Sequence, residues 1–434
     1  MKDIKPQGLS DTFEQEEFYG LGDLNPLMER IGDSHHVLLG EATHGSHEFY
    51  TWRTAITKKL ILEKGFSFLA VEGDWPDCYQ INRYIKGYKD PEMTASRLLG
   101  KFDRWPTWMW ANWEIISLMD WLKKYNQEMP SHKKVGFYGL DVYSLWDSME
   151  AIVNYLVKHD PKATEYAKNA LLCFEPYGED EQSYARAQYS MENSCQKPVL
   201  DLLMEIRKKA PAYNQDPEAA LNIEQNAEIA VNAEQYYRNM ININANTWNL
   251  RDSHMVDSLN RILGFHGPEA KSIVWAHNTH IGDARYTNMV KSGNINIGQL
   301  MREQKGENDV VLVGFGSYSG SVIAGSNWGS KMQRMTVPPA RPGSIEAKLH
   351  EELSEDTLII FNRDTGWAQN KKTISHRAIG VVYNPEHERY GNYVPTVLNS
   401  RYDAFIYLDR TDALHPLHLQ PDGHKIPETF PFEF

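Results

Sequence analysis

Glu41 and His44 stand three positions apart, directly behind the apolar run His36–Gly40 in "HVLLGEATHGSH". A carboxylate that orients an imidazole, and an imidazole that takes a proton from water, are the minimum for general-base catalysis. Three other apolar runs end in a similar way. "FSFLAVE" closes on Glu72 with Asp74 behind it, "KVGFYGLD" closes on Asp141, and "KSIVWAH" closes on His277 with His280 three residues on. A single acid after a strand is ordinarily a helix cap. Four strand ends bearing titratable groups imply one shared pocket, because ligands of open parallel sheets sit beyond the carboxyl ends of the strands.

Other routes to hydrolysis lack their signatures. "GSYSG" at 316–320 has Tyr318 where a nucleophile elbow needs Ser. "HEFYT" at 47–51 and "HEELS" at 350–354 lack the second histidine of HExxH, and there is no Walker A loop or GxGxxG. Water activated by His44 is the mechanism that remains, with His277 and His280 donating to a developing oxyanion or protonating a leaving alcohol. Glu41, His44, Glu72, His277 and His280 also offer nitrogen and oxygen ligands for zinc, iron or manganese. The metal-free reading is preferred, and no cofactor is expected.

The surroundings of these residues carry expectations of their own. Glu72 ends a run that should bury it, so it needs a partner. Arg53, about two turns into a helix starting near Ser46, is the natural one. Gly40 and Gly45 flank the Glu41–His44 turn and permit close backbone approach. His280 falls in a loop and is expected to face solvent, while Arg251-Asp252 reads as an ion pair on a helix surface. Asp74 and Arg251 are candidates for contacting substrate. So are Trp105, Trp108 and Trp110 of "RWPTWMWANWEI", whose rings suit either a bulky, partly apolar or sugar-bearing ligand or the packing of a core.

The elements that must position this chemistry are legible as patterns. Seven short runs have the composition of buried strands: 36–40, 66–72, 134–141, 271–277, 309–316, 357–362 and 402–409. Most are continuously apolar rather than alternating, which predicts a largely parallel sheet covered on both faces by helices. The segment "SHEFYTWRTAITKKLILEKG" predicts one such helix, ending at a Gly65 cap. Between Glu179 and Lys197, and again between Glu218 and Leu263, there is neither Gly nor Pro, which predicts long helices. The division expected is therefore an α/β core in two parts, 1–160 and 263–434, and a mainly helical insertion, 161–262, over a deep cleft.

Composition narrows the partners. A formal charge of −13 disfavours nucleic acid and anionic membrane, and no window is apolar enough for a membrane span. The N-terminus has no apolar h-region, so a cytoplasmic location is expected. Cys78, Cys173 and Cys195 are widely spaced, which suits a reducing compartment and argues against a disulfide frame.

"GEATHGSHEFYTWR", "AVEGDWPD", "NLRDSHM", "WAHNTHIGD" and the closing "YDAFIYLDRTDALHPL" together resemble the erythromycin esterase family, from Gly40 to about Leu417. The resemblance implies hydrolysis of a macrolide lactone without a bound metal, on a mixed α/β core with a helical lobe over a cleft. It places the general base on His44 and activity-associated residues on Glu41, Arg53, Glu72, His277 and His280. Relatives in the wider family are labelled succinoglycan biosynthesis proteins. A second reading is therefore a non-catalytic or metal-dependent protein of saccharide metabolism.

Overall fold

The computed structural model describes residues 16–178, 181–190, 194–214, 217–242, 245–353, 355–362 and 373–418. It divides into two compact units. The first comprises the chain up to Ala70, Tyr84–Gly136 and Ala270 onward; the second comprises Val71–Arg83 and Phe137–Glu269.

The strands in chain order are β1 (Glu17–Gly20), β2 (His36–Leu39), β3 (Phe68–Asp74), β4 (Gly136–Asp141), β5 (Ser272–Trp275), β6 (Val310–Gly325), β7 (Met332–Val337), β8 (Thr357–Ile360), β9 (Ile374–Arg377), β10 (Tyr393–Thr396) and β11 (Ala404–Thr411). All seven runs expected from the sequence form strands. In the first unit they lie in the order β1-β8-β11-β6-β2-β5. The inner four, β11, β6, β2 and β5, are mutually parallel. The sheet turns antiparallel at β8 and β1, and β7 pairs antiparallel with the far end of β6. Every residue of β2, β5 and β8 is buried, as continuous apolar runs require. The fold is mixed α/β with a mostly parallel sheet.

Strand β6 runs nine residues past the expected end at 316. There Gly320–Gly325 extends to meet β7. Helix His47–Lys64 starts after Ser46 and stops at Gly65, whose left-handed φ of 70° lets its N–H reach Leu60 O. Strands β3 and β4 begin in the first unit, where Ser67 N–H donates to Lys271 O and Gly136 N–H donates to Ser67 O.

The second unit is mainly helical. The 218–263 stretch is two helices, Ala219–Asn239 and Thr247–His266, the latter capped by the Asn246 side chain on Asn249 N–H. Ala219–Asn239 is buried around its circumference, with Leu221, Ile229, Tyr236 and Tyr237 among its inner residues, so it forms the core of this unit. The cysteine expectation is corrected here. Helices Thr164–Phe174 and Gln196–Lys209 bring Cys173 and Cys195 to a Cα separation of 5.7 Å, and they form a disulfide. A spacing of 22 residues could not show that two helices lie side by side. Cys78 is free and buried. No helix among the described residues is long and apolar enough to cross a membrane.

Two buried histidines link this fold to pH. His36 of β2 bonds Ser272 Oγ at 2.8 Å, and burial pushes it down to about 4 against the pull of Asp309. His254 is likewise pushed to about 4 by burial, with Arg261 adding to the effect. An unfolded histidine takes its proton near 6.5, so below that pH the unfolded chain binds protons that the folded one refuses. Stability is full above about pH 6.5 and falls as pH drops toward 4, by up to about 1.4 kcal/mol per pH unit for each histidine. Urea unfolding at pH 7 and pH 5 should show this loss, and His254→Gln should shrink the difference.

Candidate active site

The turn between β2 and helix His47–Lys64 carries Glu41 and His44, and main-chain hydrogen bonds pin it on several sides. Gly40 N–H donates to Val313 O, Ile379 N–H to Ala42 O, and Asn278 N–H to Glu41 O. Both flanking glycines are required by close approach, as expected. A Cβ at Gly40 would collide with the Asn278 amide, and one at Gly45 with the Ile323 carbonyl. Asn278, for which the sequence suggested no role, also bonds both N and O of Phe315, locking the segment after β5 to β6.

Within this frame, Glu41 is held between two partners. Its Oε1 lies 2.9 Å from His44 Nδ1 and its Oε2 accepts from Arg53 Nη2 at 2.5 Å. All three side chains are buried. Arg53 does point back toward the sheet, where its partner is Glu41. Its guanidinium lies 4.5 Å from the Tyr50 ring centroid and 4.6 Å from that of Trp275. Delocalised charge against two π faces is a setting made for Arg rather than Lys.

His277 stands beside His44, ring centroids 4.9 Å apart. Its Nδ1 accepts from Thr279 N–H at 3.3 Å. The two neighbouring rings thus differ in what holds them, a carboxylate for His44 and Thr279 for His277. His280 is buried in the short helix Asn278–Ile281, so the expectation of a solvent-facing loop residue is corrected.

The remaining candidates of the first unit are the tryptophans. Trp108 is fully buried, so its ring packs in the interior. Trp105 is nearly so, donating to Ser330 O and tilted 4.5 Å from Trp328. Trp110 is half-buried, its edge toward Tyr50.

Glu72, Asp74, Asp141 and Arg251 belong to the second unit. Arg251 is not half of a surface pair with Asp252. It grips Asp141 through Nε and Nη2 at 3.0 and 2.7 Å, and Glu72 through Nη2 at 2.8 Å. Burial opposes its charge, but Asp141, Tyr143 and Glu72 outweigh that and hold it well above the ordinary arginine range. Glu72 thus has the partner a buried carboxylate needs, supplied from 179 residues away. Asp74, at the end of β3, is partly buried.

The erythromycin esterase family model matches residues 61–411. Erythromycin esterase type II of Escherichia coli is 25% identical over 353 residues, covering 75% of this chain and 80% of that protein. A solved structure called a succinoglycan biosynthesis protein superposes with a TM-score of 0.69 at 22% identity, over 95% of both chains. A histidine-to-asparagine variant of the erythromycin esterase EreC, in its open conformation, gives 0.64 at 17%, over 95% of this chain and 98% of that one. At those identities the structures speak for the fold alone. The family match extends over most of the chain, and the protein belongs to the erythromycin esterase family.

Proposed function

We propose that this protein hydrolyses a carboxylic ester, with a macrolide lactone as the first substrate class to test, using water activated by His44. The observation that carries the reading is the Arg53–Glu41–His44 chain. Arg53 fixes Glu41 in place, Glu41 orients His44 through Nδ1, and Nε2 is left as the base that deprotonates water. Attack on the ester carbonyl builds charge on its oxygen. His277 is the donor assigned to that oxyanion or to the departing alcohol. Atoms balance with one water consumed: its oxygen ends in the acid, and its two protons end on the acid and the alcohol.

His280, Trp105 and Trp110 are proposed to shape and hold the substrate rather than to transfer protons. The E. coli relative's name supports macrolides as the substrate class, and the net negative charge suits their cationic amino sugars. The test is mass spectrometry of macrolides and simple acyl esters after incubation with the protein. A mass gain of one water on a macrolide supports the full reading. A gain on simple esters alone keeps the esterase and removes the macrolide, and no gain on either removes both.

A further inference from the structure

Three residues outside the Glu41–His44 pair form a second cluster in the first unit. His47 opens helix His47–Lys64, Glu114 lies in the first turn of helix Trp113–Gln127, and His415 follows β11. Glu114 Oε1 lies 2.6 Å from His47 Nδ1 and 2.7 Å from His415 Nδ1. The two rings meet edge to face at 5.2 Å, and one donor atom from each residue falls within 4.8 Å of the others.

The charge balance of this cluster differs from that of the buried acids that face a guanidinium, and resembles that of Glu346, whose ion-pair partner among the described residues is His376. Glu41 faces Arg53, Asp283 and Asp403 both face Arg302, and Glu388 faces Arg377. Among the described ion pairs, Glu114 has only the two imidazoles. Its side chain is 4% exposed, and its second oxygen is buried with no hydrogen-bond partner among the described residues. A buried carboxylate oxygen with no partner is short of one bond, and a divalent cation supplies it.

The geometry points to a metal site at His47, Glu114 and His415 that takes a divalent ion of the zinc class. Two imidazole nitrogens and a carboxylate oxygen are a donor set suited to that class. His415 is 61% exposed in its side chain, so the fourth position opens to water. The present spacings are those of hydrogen bonds. Ligands about 2.0–2.1 Å from a tetrahedral ion sit about 3.3 Å apart, so each imidazole must open by about 0.6 Å.

The backbone is already arranged to hold the donors. His47 N–H donates to Asp412 O, Leu414 N–H to Gly45 O, Trp113 N–H to His415 O, and Leu417 N–H to Ala111 O. The segment after β11 is thereby laced to the starts of both helices, and the ion would clip all three together. It would be structural, and it is independent of the hydrolase reading.

The test is zinc binding by untagged, chelator-stripped protein, read by equilibrium dialysis and elemental mass spectrometry and by the thermal midpoint. Wild type and His44→Ala should each bind one equivalent and gain thermal stability. His415→Ala, at an exposed position that leaves folding intact, should bind at least about 10–100-fold more weakly, the scale already seen when outer-shell partners are lost. Glu114→Gln should behave alike. Absence of binding in wild type, or equal binding in His415→Ala, or loss in His44→Ala instead, would overturn the site.

Discussion

His44→Ala should lower kcat for an ester substrate by about 10²–10⁴-fold, the usual contribution of a general base. The parent's circular dichroism spectrum should be retained. The large effect follows from position. His44 Nδ1 is committed to Glu41, so the ring has one orientation and presents one nitrogen. The neighbouring His277 does not duplicate that arrangement, since its Nδ1 is engaged by Thr279. Replacing His277 should therefore cost less than replacing His44, because donation to an oxyanion can be shared with water. Steady-state kinetics on both variants checks the order, and activity of His44→Ala within a few-fold of the parent would remove His44 from the chemistry.

Arg53→Met should cost about 3–5 kcal/mol of stability, the range for breaking a buried pair and stranding its partner. Arg53 and Glu41 are 1% and 2% exposed in their side chains, so water cannot take over the lost charge. The replacement fills much of the same volume between Tyr50 and Trp275, which separates the loss of charge from the loss of packing. Activity should fall as well. With the guanidinium gone, the charge that neutralises Glu41 has to come from His44, and an imidazolium cannot accept a proton. Arg53→Lys should restore little, because a compact ammonium cannot lie flat between two rings while reaching Glu41. Urea unfolding and turnover measured on the same samples test both halves. A destabilised variant with full turnover would detach Arg53 from His44.

Much of this was readable in the sequence because it is local. Continuous apolar runs gave the strands, Gly65 marked a helix end, and Glu41 with His44 sit in one turn three residues apart. Arg53 lies on the buried face of its helix, three and four residues from the buried Tyr50, Phe49, Ile56 and Thr57. Its pairing with Glu41 was not legible, because spacing says nothing about which carboxylate a guanidinium reaches. The errors elsewhere are of the same long-range kind. Arg251 reaches Asp141 and Glu72 across 110 and 179 residues, and Cys173 meets Cys195 only because two helices pack together. Trp108 shows the limit of composition: four clustered tryptophans cannot say which ring is interior. The His47–Glu114–His415 cluster went unseen because its members come from three separate elements.

The central claim is that water, taken up by His44, attacks the ester directly. A single turnover with enzyme in excess, run in ¹⁸O-labelled water and quenched, tests it most directly. The account predicts that the acid formed in that first turnover carries ¹⁸O, that the protein carries neither label nor acyl group, and that His44→Ala forms no acid on the same timescale. Unlabelled acid from the first turnover, or an acylated side chain on the quenched protein, would contradict it.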